Sequence, residues 1–507
     1  MPQPITSYDE IAYPSQPFPQ THPDRLATIG KLLGMAPASP DRCGYLELGC
    51  GDGFNLLPMA LTMPNSRFVG IDLSSKAIER GRAFQEQLGL RNVELHCADV
   101  MTWPLPEVPF DYIMAHGLFS WVPPPVQQRV LAICRSSLAP QGIAYISYNT
   151  HPGGHIRTML REMMRFHASA APTPVHKLHQ AKALIQFLLA GQTQENEYTA
   201  LLRKESEWIL DRSNDAVLYH DDLADVNHFF YFRDFAALVG QHGLQYLSEA
   251  DFYETQDRIY PPAIIEALKQ LAGNVVLKEQ YLDFLKCRRF RQTLLCHSDV
   301  KLERDIPLSR LAGFRVSSVV KPQGPLDLVA GQIMAFAGPR GAALKIDHPL
   351  TKAALVELAT RAPMHLSFEE LLLAASRRLE TAAAEADDVE VLQQVLLAGY
   401  SAGMMEFHLL PPAWIETISE RPRISPIALA QLRRGDPIVT TLRHHALAVE
   451  EQIDRGLLSC CDGEHDRKSL IAKATQLLAT TGPAGAKPEE MTQGVLSRAG
   501  RSALLLA

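Results

Sequence analysis

The stretch Glu47–Gly53, with the sequence ELGCGDG, decides the fold of this chain. It closes a short apolar run that starts at Gly44, and a helix-like run, Asn55–Met63, follows it. Its three glycines alternate with other residues, and a glycine lets the backbone approach a ligand more closely than a residue with a Cβ does. The stretch therefore predicts a ligand-binding turn between a strand and a helix.

Strand-like and helix-like segments alternate outward from this turn, which is typical of an α/β fold with a parallel, doubly wound sheet. The predicted strands are Gly44–Leu48, Arg67–Asp72, Val93–Cys97, Phe110–Ala115 and Ile143–Tyr148, with Leu244–Glu249 and Gln292–His297 as the last two strands of the same sheet. Ligands bind such sheets at the carboxyl ends of the strands. We therefore expect the residues at or just after these ends to share one site: Gly49, Asp72, Asp99, His116 and Asn149.

The spacing of the glycines and acids narrows the kind of ligand. Dinucleotide sites favour G-x-G-x-x-G, in which the third glycine serves a pyrophosphate, whereas this turn has G-x-G-x-G with Glu47 and Asp52 beside it. An acid at the end of the second strand, here Asp72, accepts hydrogen bonds from ribose hydroxyls. Asp99 follows the third strand, where it can accept from an adenine amino group. The set predicts a nucleoside with a cationic group rather than a dinucleotide.

Taken together, these motifs resemble the class I S-adenosylmethionine (SAM) methyltransferases. Longer stretches resemble bacterial methyltransferases that carry a methyltransferase regulatory domain: Tyr13–Ile29, Asp111–Pro123, Ala144–Met164, Leu218–Phe235, Gly243–Phe252 and Glu279–His297. The best-understood members of that group are protein-lysine N-methyltransferases acting on bacterial surface proteins. The resemblance implies SAM as the cofactor and a protein substrate. A small-molecule O- or N-methyltransferase is the alternative, and a SAM-binding regulatory or scaffold protein is a third.

The resemblance also implies roles for particular residues. The cofactor-binding residues are expected to be Tyr13, Glu47, Gly49, Cys50, Gly51, Gly53, Asp72, Leu73, Asp99, Val100 and His116. Candidates for handling the methyl acceptor are His116, Tyr148, Asn149, His220 and Asp221, and no metal site is predicted.

Two departures from the family pattern concern the acceptor side. His151 stands where an aromatic residue is expected, and Gly154 where a Trp is expected. The second motif has the sequence HDDLA from His220 in place of H-[ED]-Y-L-E.

The chain divides into several predicted units. These are an N-terminal arm (1–24), a SAM-dependent methyltransferase domain (25–152 and 230–300), a helical cap insertion (153–229), an α+β winged-helix-like domain (301–412) and a small helical unit (413–507). Ser367 and Glu370 form a capping box at the start of a helix. The adjacent His444 and His445 are expected at the surface.

Composition limits the partners. The net charge of −7 and the pI of about 6.2 disfavour nucleic acid, because phosphate binding needs a basic face. The eight cysteines have neither metal-site nor disulfide-framework spacing, which favours a reducing compartment, the cytoplasm. No run of about 18 apolar residues is present, so no membrane span is expected. The sequence leaves the oligomeric state open.

Overall fold

The computed structural model describes residues 10–11, 13–210, 215–257, 259–271, 273–381, 384–481 and 485–506. Part of the expected N-terminal arm, residues 1–9 and 12, lies outside the described residues. The rest of the arm leads through a short 3-10 turn, Pro19–Thr21, to the first helix, α1, which begins at Pro23.

A mixed central sheet carries the fold, with the strand order β3-β2-β1-β4-β5-β8-β7. Its strands are β1 Gly44–Leu48, β2 Arg67–Asp72, β3 Val93–Cys97, β4 Phe110–Ala115, β5 Leu138–Thr150, β7 Leu244–Glu249 and β8 Phe290–His297, and the short β6, Phe229–Phe230, pairs with β5. Strands β1 to β5 pair in parallel, as predicted. Strand β8 is antiparallel to both β5 and β7, so the sheet is not parallel throughout.

Helices cover both faces of this sheet. They are α1 Pro23–Leu32, α2 Leu56–Thr62, α3 Ser75–Gln87, α4 Pro124–Ser137 and α8 Phe232–Gln241. Side chains of successive strand residues point to opposite faces, and the strands accordingly contribute to two hydrophobic cores. Tyr45, Tyr112 and Tyr145 lie in one core, and Leu46, Ile113 and Ile146 in the other. The strands lie between these two buried layers. The carboxyl ends of the parallel strands lie at one edge of the sheet, and the site forms there.

The predicted cap is helical and has a small core of its own. It contains α5 Gly153–Ala168, α6 Pro174–Ala190, α7 Glu197–Leu210, a short helix Asp215–Val217 and a π-helical turn, Leu218–Asp222. Two further helices, α9 Pro262–Leu271 and α10 Val275–Lys286, precede β8. A π-helical turn often occurs at a functional position, and this one faces the N-terminal arm.

Residues 301–412 combine helices with short strands. The helices are α11 Pro349–Thr360, α12 Phe368–Arg378 and α13 Ala386–Ser401; the strands are β9 Arg315–Ser318, β10 Lys321–Gln323, β11 Met334–Ala337, β12 Ala343–Ile346, β13 Leu366–Ser367 and β14 Met405–His408. They form two three-stranded sheets, β10-β11-β12 and β13-β9-β14. The predicted capping box of Ser367 and Glu370 is present at the start of α12.

Residues 413–507 form a C-terminal unit with its own hydrophobic core. Its helices are α14 Pro426–Arg434, α15 Gln452–Leu458, α16 Arg467–Thr481 and α17 Pro488–Arg501. The sequence predicts helices alone here, but a hairpin of β15 Ile438–Thr440 and β16 Ala446–Ala448 is also present. Strands of three residues are too short to give a readable alternation. In the described part of the chain, the helices fall short of the length and apolarity that a membrane crossing requires.

Candidate active site

A cavity of about 580 Å³ opens at the carboxyl ends of the first four strands. Four of the five strand-end residues named from the sequence line it: Gly49, Asp72, Asp99 and His116. The N-terminal arm contributes a further wall, from Tyr13 to Phe18. The cavity is therefore built from the sheet edge on one side and from a remote segment on the other.

The glycine turn adopts a backbone that favours glycine. Gly49, Gly51 and Gly53 have φ angles of 75°, 57° and 75°, in the left-handed region. Gly53 does not line the cavity; a Cβ there would lie 2.8 Å from a methyl of Leu95. The backbone N–H of Gly49 donates to the carbonyl oxygen of Ile71 at 2.8 Å, which ties the turn to β2. The turn is thus fixed by backbone contacts before any ligand binds.

Glu47 is a buried carboxyl group at the base of the cavity, only 3% exposed. Its Oε1 accepts a hydrogen bond from Asn55 Nδ2 at 3.0 Å. Its Oε2 has no hydrogen-bond partner among the described residues. Burial, with the nearby charges of Asp72 and Asp52, raises the pKa of Glu47 to about 8. An unpartnered buried carboxyl oxygen suits a cationic ligand group, such as the amino group of SAM.

Asp72 lines the same cavity as Glu47. Its Oδ2 accepts from the Gly51 N–H and its Oδ1 from the Ser74 N–H, both at 2.8 Å. These bonds orient the Asp72 carboxylate at the mouth of the glycine turn. Asp99 is exposed, and its Oδ1 accepts from the Met101 N–H at 2.9 Å. Two acids on neighbouring strand ends fit the hydroxyl and amino donors of an adenosine.

Other expected cofactor residues line the cavity as well. Leu73 and Val100 are apolar neighbours of the two acids, and Cys50 lies in the glycine turn. Burial raises the pKa of the Cys50 thiol well above its usual range, so Cys50 is a neutral packing group rather than a nucleophile.

Three hydrogen bonds hold the arm, one to the cap and two to residues in or just after the glycine turn. Tyr13 Oη donates to Asp221 Oδ1 at 3.4 Å, Ser15 Oγ donates to Asp52, and the Phe18 N–H donates to Asn55 Oδ1 at 3.0 Å. Of these arm residues, the sequence predicts only Tyr13. Ser15 and Phe18 lie in a proline-rich stretch without periodicity, and no local signal marks them as site residues.

His116 follows β4, the neighbour of β1 in the sheet, so in the strand order it lies at the opposite end of the cavity from Asp99. Its Nδ1 lies 2.8 Å from Tyr145 Oη, and its ring centroid lies 4.1 Å from that of Phe18. Burial lowers the pKa of His116 to about 4, so its ring is neutral near pH 7. Asp221 and Trp121 also line the cavity. A neutral imidazole, a carboxylate and an indole thus surround the space left for an acceptor.

Tyr148 and Asn149, predicted as acceptor-side residues, do not line the cavity. Tyr148 lies in the core, with its ring stacked on Phe235 at a centroid distance of 4.0 Å. It is three residues from Tyr145, so the alternation of β5 turns it to the other face. Asn149 donates from Nδ2 to Asn227 Oδ1 at 2.8 Å. Tyr145, which the sequence does not single out, is also buried in the core, but its hydroxyl contacts the cavity residue His116.

His220, the third such candidate, faces the arm rather than the cavity. Its Nε2 lies 2.7 Å from the carbonyl oxygen of Ile11, and its ring meets that of Tyr13 edge-on at 5.8 Å. Its neighbour Asp221 does reach the cavity. The π-helical turn therefore places one residue on the arm and the next at the site.

The departures from the family pattern pack closely within the cap. A Cβ at Gly154 would lie 2.2 Å from the ring of Phe229, so that ring occupies the space of a larger residue at 154. His151 stacks on His155 at 3.8 Å. Asp222 is fully buried and accepts from Arg157 Nε at 2.8 Å. At these three positions the region beside the acceptor end therefore differs from the family pattern.

Comparisons with known proteins agree with this geometry. A family model described as a methyltransferase domain matches residues 46–142, and one described as a predicted methyltransferase regulatory domain matches residues 214–297. A third, "PKMT, C-terminal winged helix domain", matches residues 420–489. The sequence predicts a winged-helix-like domain in residues 301–412. The match lies instead in the next unit, residues 413–507, which contains the β15–β16 hairpin.

Two relatives come from Rickettsia prowazekii (strain Madrid E). The chain is 32% identical to uncharacterized protein RP789 over 475 aligned residues. The alignment covers 92% of this chain and 84% of that protein. The chain is 39% identical over 232 residues to uncharacterized protein RP028, covering 45% of this chain and 92% of that protein. The structure of PKMT2 from Rickettsia typhi in complex with AdoHcy superposes with a TM-score of 0.86 at 27% identity, over 98% of this chain and all of that one.

The fold, the cavity and these matches define a class I SAM-dependent methyltransferase. Within that class, the chain belongs to the family of RP789, methyltransferases that carry the methyltransferase regulatory domain and are similar to protein lysine methyltransferases.

Proposed function

We propose that this enzyme transfers a methyl group from SAM to the ε-amine of lysine side chains in protein substrates. The observation that carries the proposal is the likeness to PKMT2 over 98% of this chain with a TM-score of 0.86. The match to the PKMT C-terminal winged helix model supports it independently of the catalytic domain.

The cofactor is held by the sheet edge in this proposal. Glu47 and the turn backbone hold the amino-acid part, Asp72 the ribose hydroxyls and Asp99 the adenine amino group. Leu73 and Val100 flank the base. When bound, SAM supplies an electrophilic methyl group on a sulfonium.

The acceptor end orients a lysine and favours its neutral form. Asp221 attracts the incoming ammonium, and the indole of Trp121 offers a face for a cation–π contact. Deeper in the cavity, desolvation disfavours the charged amine and lowers its pKa. His116 is uncharged near pH 7 because burial lowers its pKa to about 4, so it neither repels the ammonium nor stabilises it. A neutral amine can attack a methyl group, whereas an ammonium cannot.

The arm and the cap exclude water from the reaction. Tyr13 and Phe18 line the cavity opposite the sheet edge, and Asp221 of the cap bonds to Tyr13. Excluding water strengthens the electrostatic contacts inside the cavity. The walls formed by the arm and the cap also hold the reacting groups together.

A transfer assay on fractionated extract tests the proposal. The purified full chain is incubated with methyl-labelled SAM and a bacterial extract separated by dialysis into macromolecular and small-molecule fractions. We expect label on lysine ε-nitrogens, identified by mass spectrometry of peptides. The matched control is the same protein fraction with its lysines acetylated beforehand, which must lose the label. Label confined to the small-molecule fraction would overturn the lysine assignment and favour a small-molecule acceptor. Protein label unchanged by acetylation would also overturn it and would assign the methyl group to another kind of protein side chain.

A further inference from the structure

The C-terminal unit reaches the cofactor turn through one buried side chain, His444. It lies in the turn that joins β15 to β16, with a φ of 59° and an exposure of only 3%, contrary to the surface position that the sequence predicts. Its Nε2 lies 2.8 Å from Asn55 Oδ1. Asn55 is the second residue after the glycine turn, so residues 389 positions apart in the chain meet here.

The direction of each hydrogen bond around Asn55 follows from its partners. The Phe18 N–H can only donate, and it lies 3.0 Å from Oδ1, which fixes the orientation of the amide. Asn55 Nδ2 must then donate to Glu47 Oε1, at 3.0 Å, and to Thr21 Oγ1, also at 3.0 Å. Because Oδ1 is an acceptor, His444 Nε2 must carry the hydrogen that it donates. Asn55 is thereby saturated, with two bonds to the arm, one to Glu47 and one to His444.

A second contact from the same unit supports the cofactor turn on another side. The Arg434 guanidinium lies 5.3 Å from the ring centroid of Phe54 and 4.8 Å from that of Phe84. These two rings are stacked at 4.9 Å. Phe54 and Asn55 are adjacent, so the C-terminal unit holds both residues that follow the glycine turn.

We propose that His444 is a positioning residue of the SAM site: through Asn55 it orients Glu47, and docking of the C-terminal unit is thereby coupled to cofactor binding. The proposal concerns the cofactor end alone and does not depend on the acceptor being lysine. Coupling between binding and docking is reciprocal. SAM must therefore stabilise the docked hairpin as much as the docked hairpin strengthens SAM binding.

A matched pair of substitutions separates the donated hydrogen bond from packing. His444→Gln keeps a side-chain N–H donor, and His444→Met has a similar length but no donor. Both variants place a side chain at the left-handed backbone position 444. Any backbone strain is therefore the same in the two variants and cancels when they are compared. We expect the Gln variant to bind SAM within about twofold of the unchanged chain. The Met variant should bind about three- to tenfold more weakly, the scale of one buried hydrogen bond. Ala446→Ser, at an exposed neighbouring position, is the control and should leave affinity unchanged.

Hydrogen exchange over residues 438–448 provides the reciprocal readout. SAM should slow exchange of this hairpin in the unchanged chain and in the Gln variant, and fail to do so in the Met variant. Equal SAM affinity of the Gln and Met variants would overturn the proposal. Equal losses in both, with SAM-dependent protection retained, would also overturn it, because His444 would then be only a packing residue. If the Met variant does not fold, hydrogen exchange of the unchanged chain still tests the proposal. Absence of SAM-dependent protection at residues 438–448 would then refute the coupling.

Discussion

The two ends of the active-site cavity are built in different ways. The cofactor end is made by loops at neighbouring strand ends, and its key bond, from Gly51 to Asp72, spans 21 positions. The acceptor end brings the arm to the cap, and its bond from Tyr13 to Asp221 spans 208 positions. The side chains that face the cofactor are therefore set by the backbone geometry of neighbouring strand ends, with remote support from His444 through Asn55, whereas the acceptor end is itself made by the docking of remote segments. Substitutions should accordingly separate cofactor affinity from acceptor turnover.

The largest effect should come from filling space behind the glycine turn. A Cβ at Gly81 would lie 2.2 Å from the carbonyl oxygen of Asp52, so Gly81→Ala must displace the turn or the helix. We expect cofactor affinity to fall more than a hundredfold, about 2.7 kcal/mol, with a loss of roughly 1–3 kcal/mol in the free energy of unfolding. Calorimetry with SAM and chemical denaturation measure the two quantities. Gly240→Ala is the control, because a Cβ there meets nothing within 4 Å; equal behaviour of the two variants would contradict the turn's role.

Removing the carboxylate of Asp72 should have the next largest effect on the cofactor end. Asp72→Ala deletes the proposed acceptor for the ribose and also the acceptors of the Gly51 and Ser74 N–H groups. We expect SAM affinity to fall roughly ten- to a hundredfold, about 1.5–3 kcal/mol. Asp72→Asn keeps one oxygen and should lose less. Unchanged affinity of Asp72→Ala in calorimetry would refute the placement of the ribose.

Changing Asp221 should affect the acceptor end alone. Asp221→Asn keeps the size of the side chain but removes the charge proposed to attract the lysine ammonium. We expect kcat/KM for a protein acceptor to fall about tenfold, about 1.4 kcal/mol, with SAM affinity within twofold of the unchanged chain. Asp225→Asn is the control, since the Asp225 side chain is 93% exposed. A parallel loss of SAM affinity would mean that the two ends are not separable.

The smallest effect is a pH dependence of the cofactor end. Burial raises the pKa of Glu47 from 4.5 to about 8, so in that interval the folded chain holds a proton that the unfolded chain has released. The contribution of Glu47 to stability is greatest below about pH 4.5 and declines as the pH rises to about 8. A cationic ligand favours the ionised form, so SAM binding should release a proton at pH 7. Affinity should rise roughly fivefold from pH 7 to 8, as the ionised fraction of Glu47 rises.

Calorimetry in two buffers of different ionisation enthalpy measures this proton release. Glu47→Gln should abolish both the proton release and the rise of affinity with pH. A pH dependence that survives in Glu47→Gln would assign the titration to another group.

The same difference between the two ends explains what the sequence could predict. The strands β1 to β4 and the residues Glu47, Asp72 and Asp99 follow from periodicity and short spacings, and the structure places all three acids at one cavity. The acceptor end was predicted less well. Tyr148 was expected there, but it is buried in the core, because the direction in which a β5 side chain points depends on tertiary packing. His444 could not be predicted, since its partner Asn55 is brought close only by the docking of a separate unit.

The arm that covers the cavity has a consequence for the timing of turnover. Tyr13, Ser15 and Phe18 are each attached to a different neighbour by a hydrogen bond, and together they lie over the space that the cofactor fills. The spent cofactor is as large as the fresh one apart from a methyl group, so a cofactor that exchanges past the arm must open these attachments in each cycle. We expect the opening of the arm to set the residence time of the spent cofactor, and hence the number of methyl groups added during one encounter with a protein.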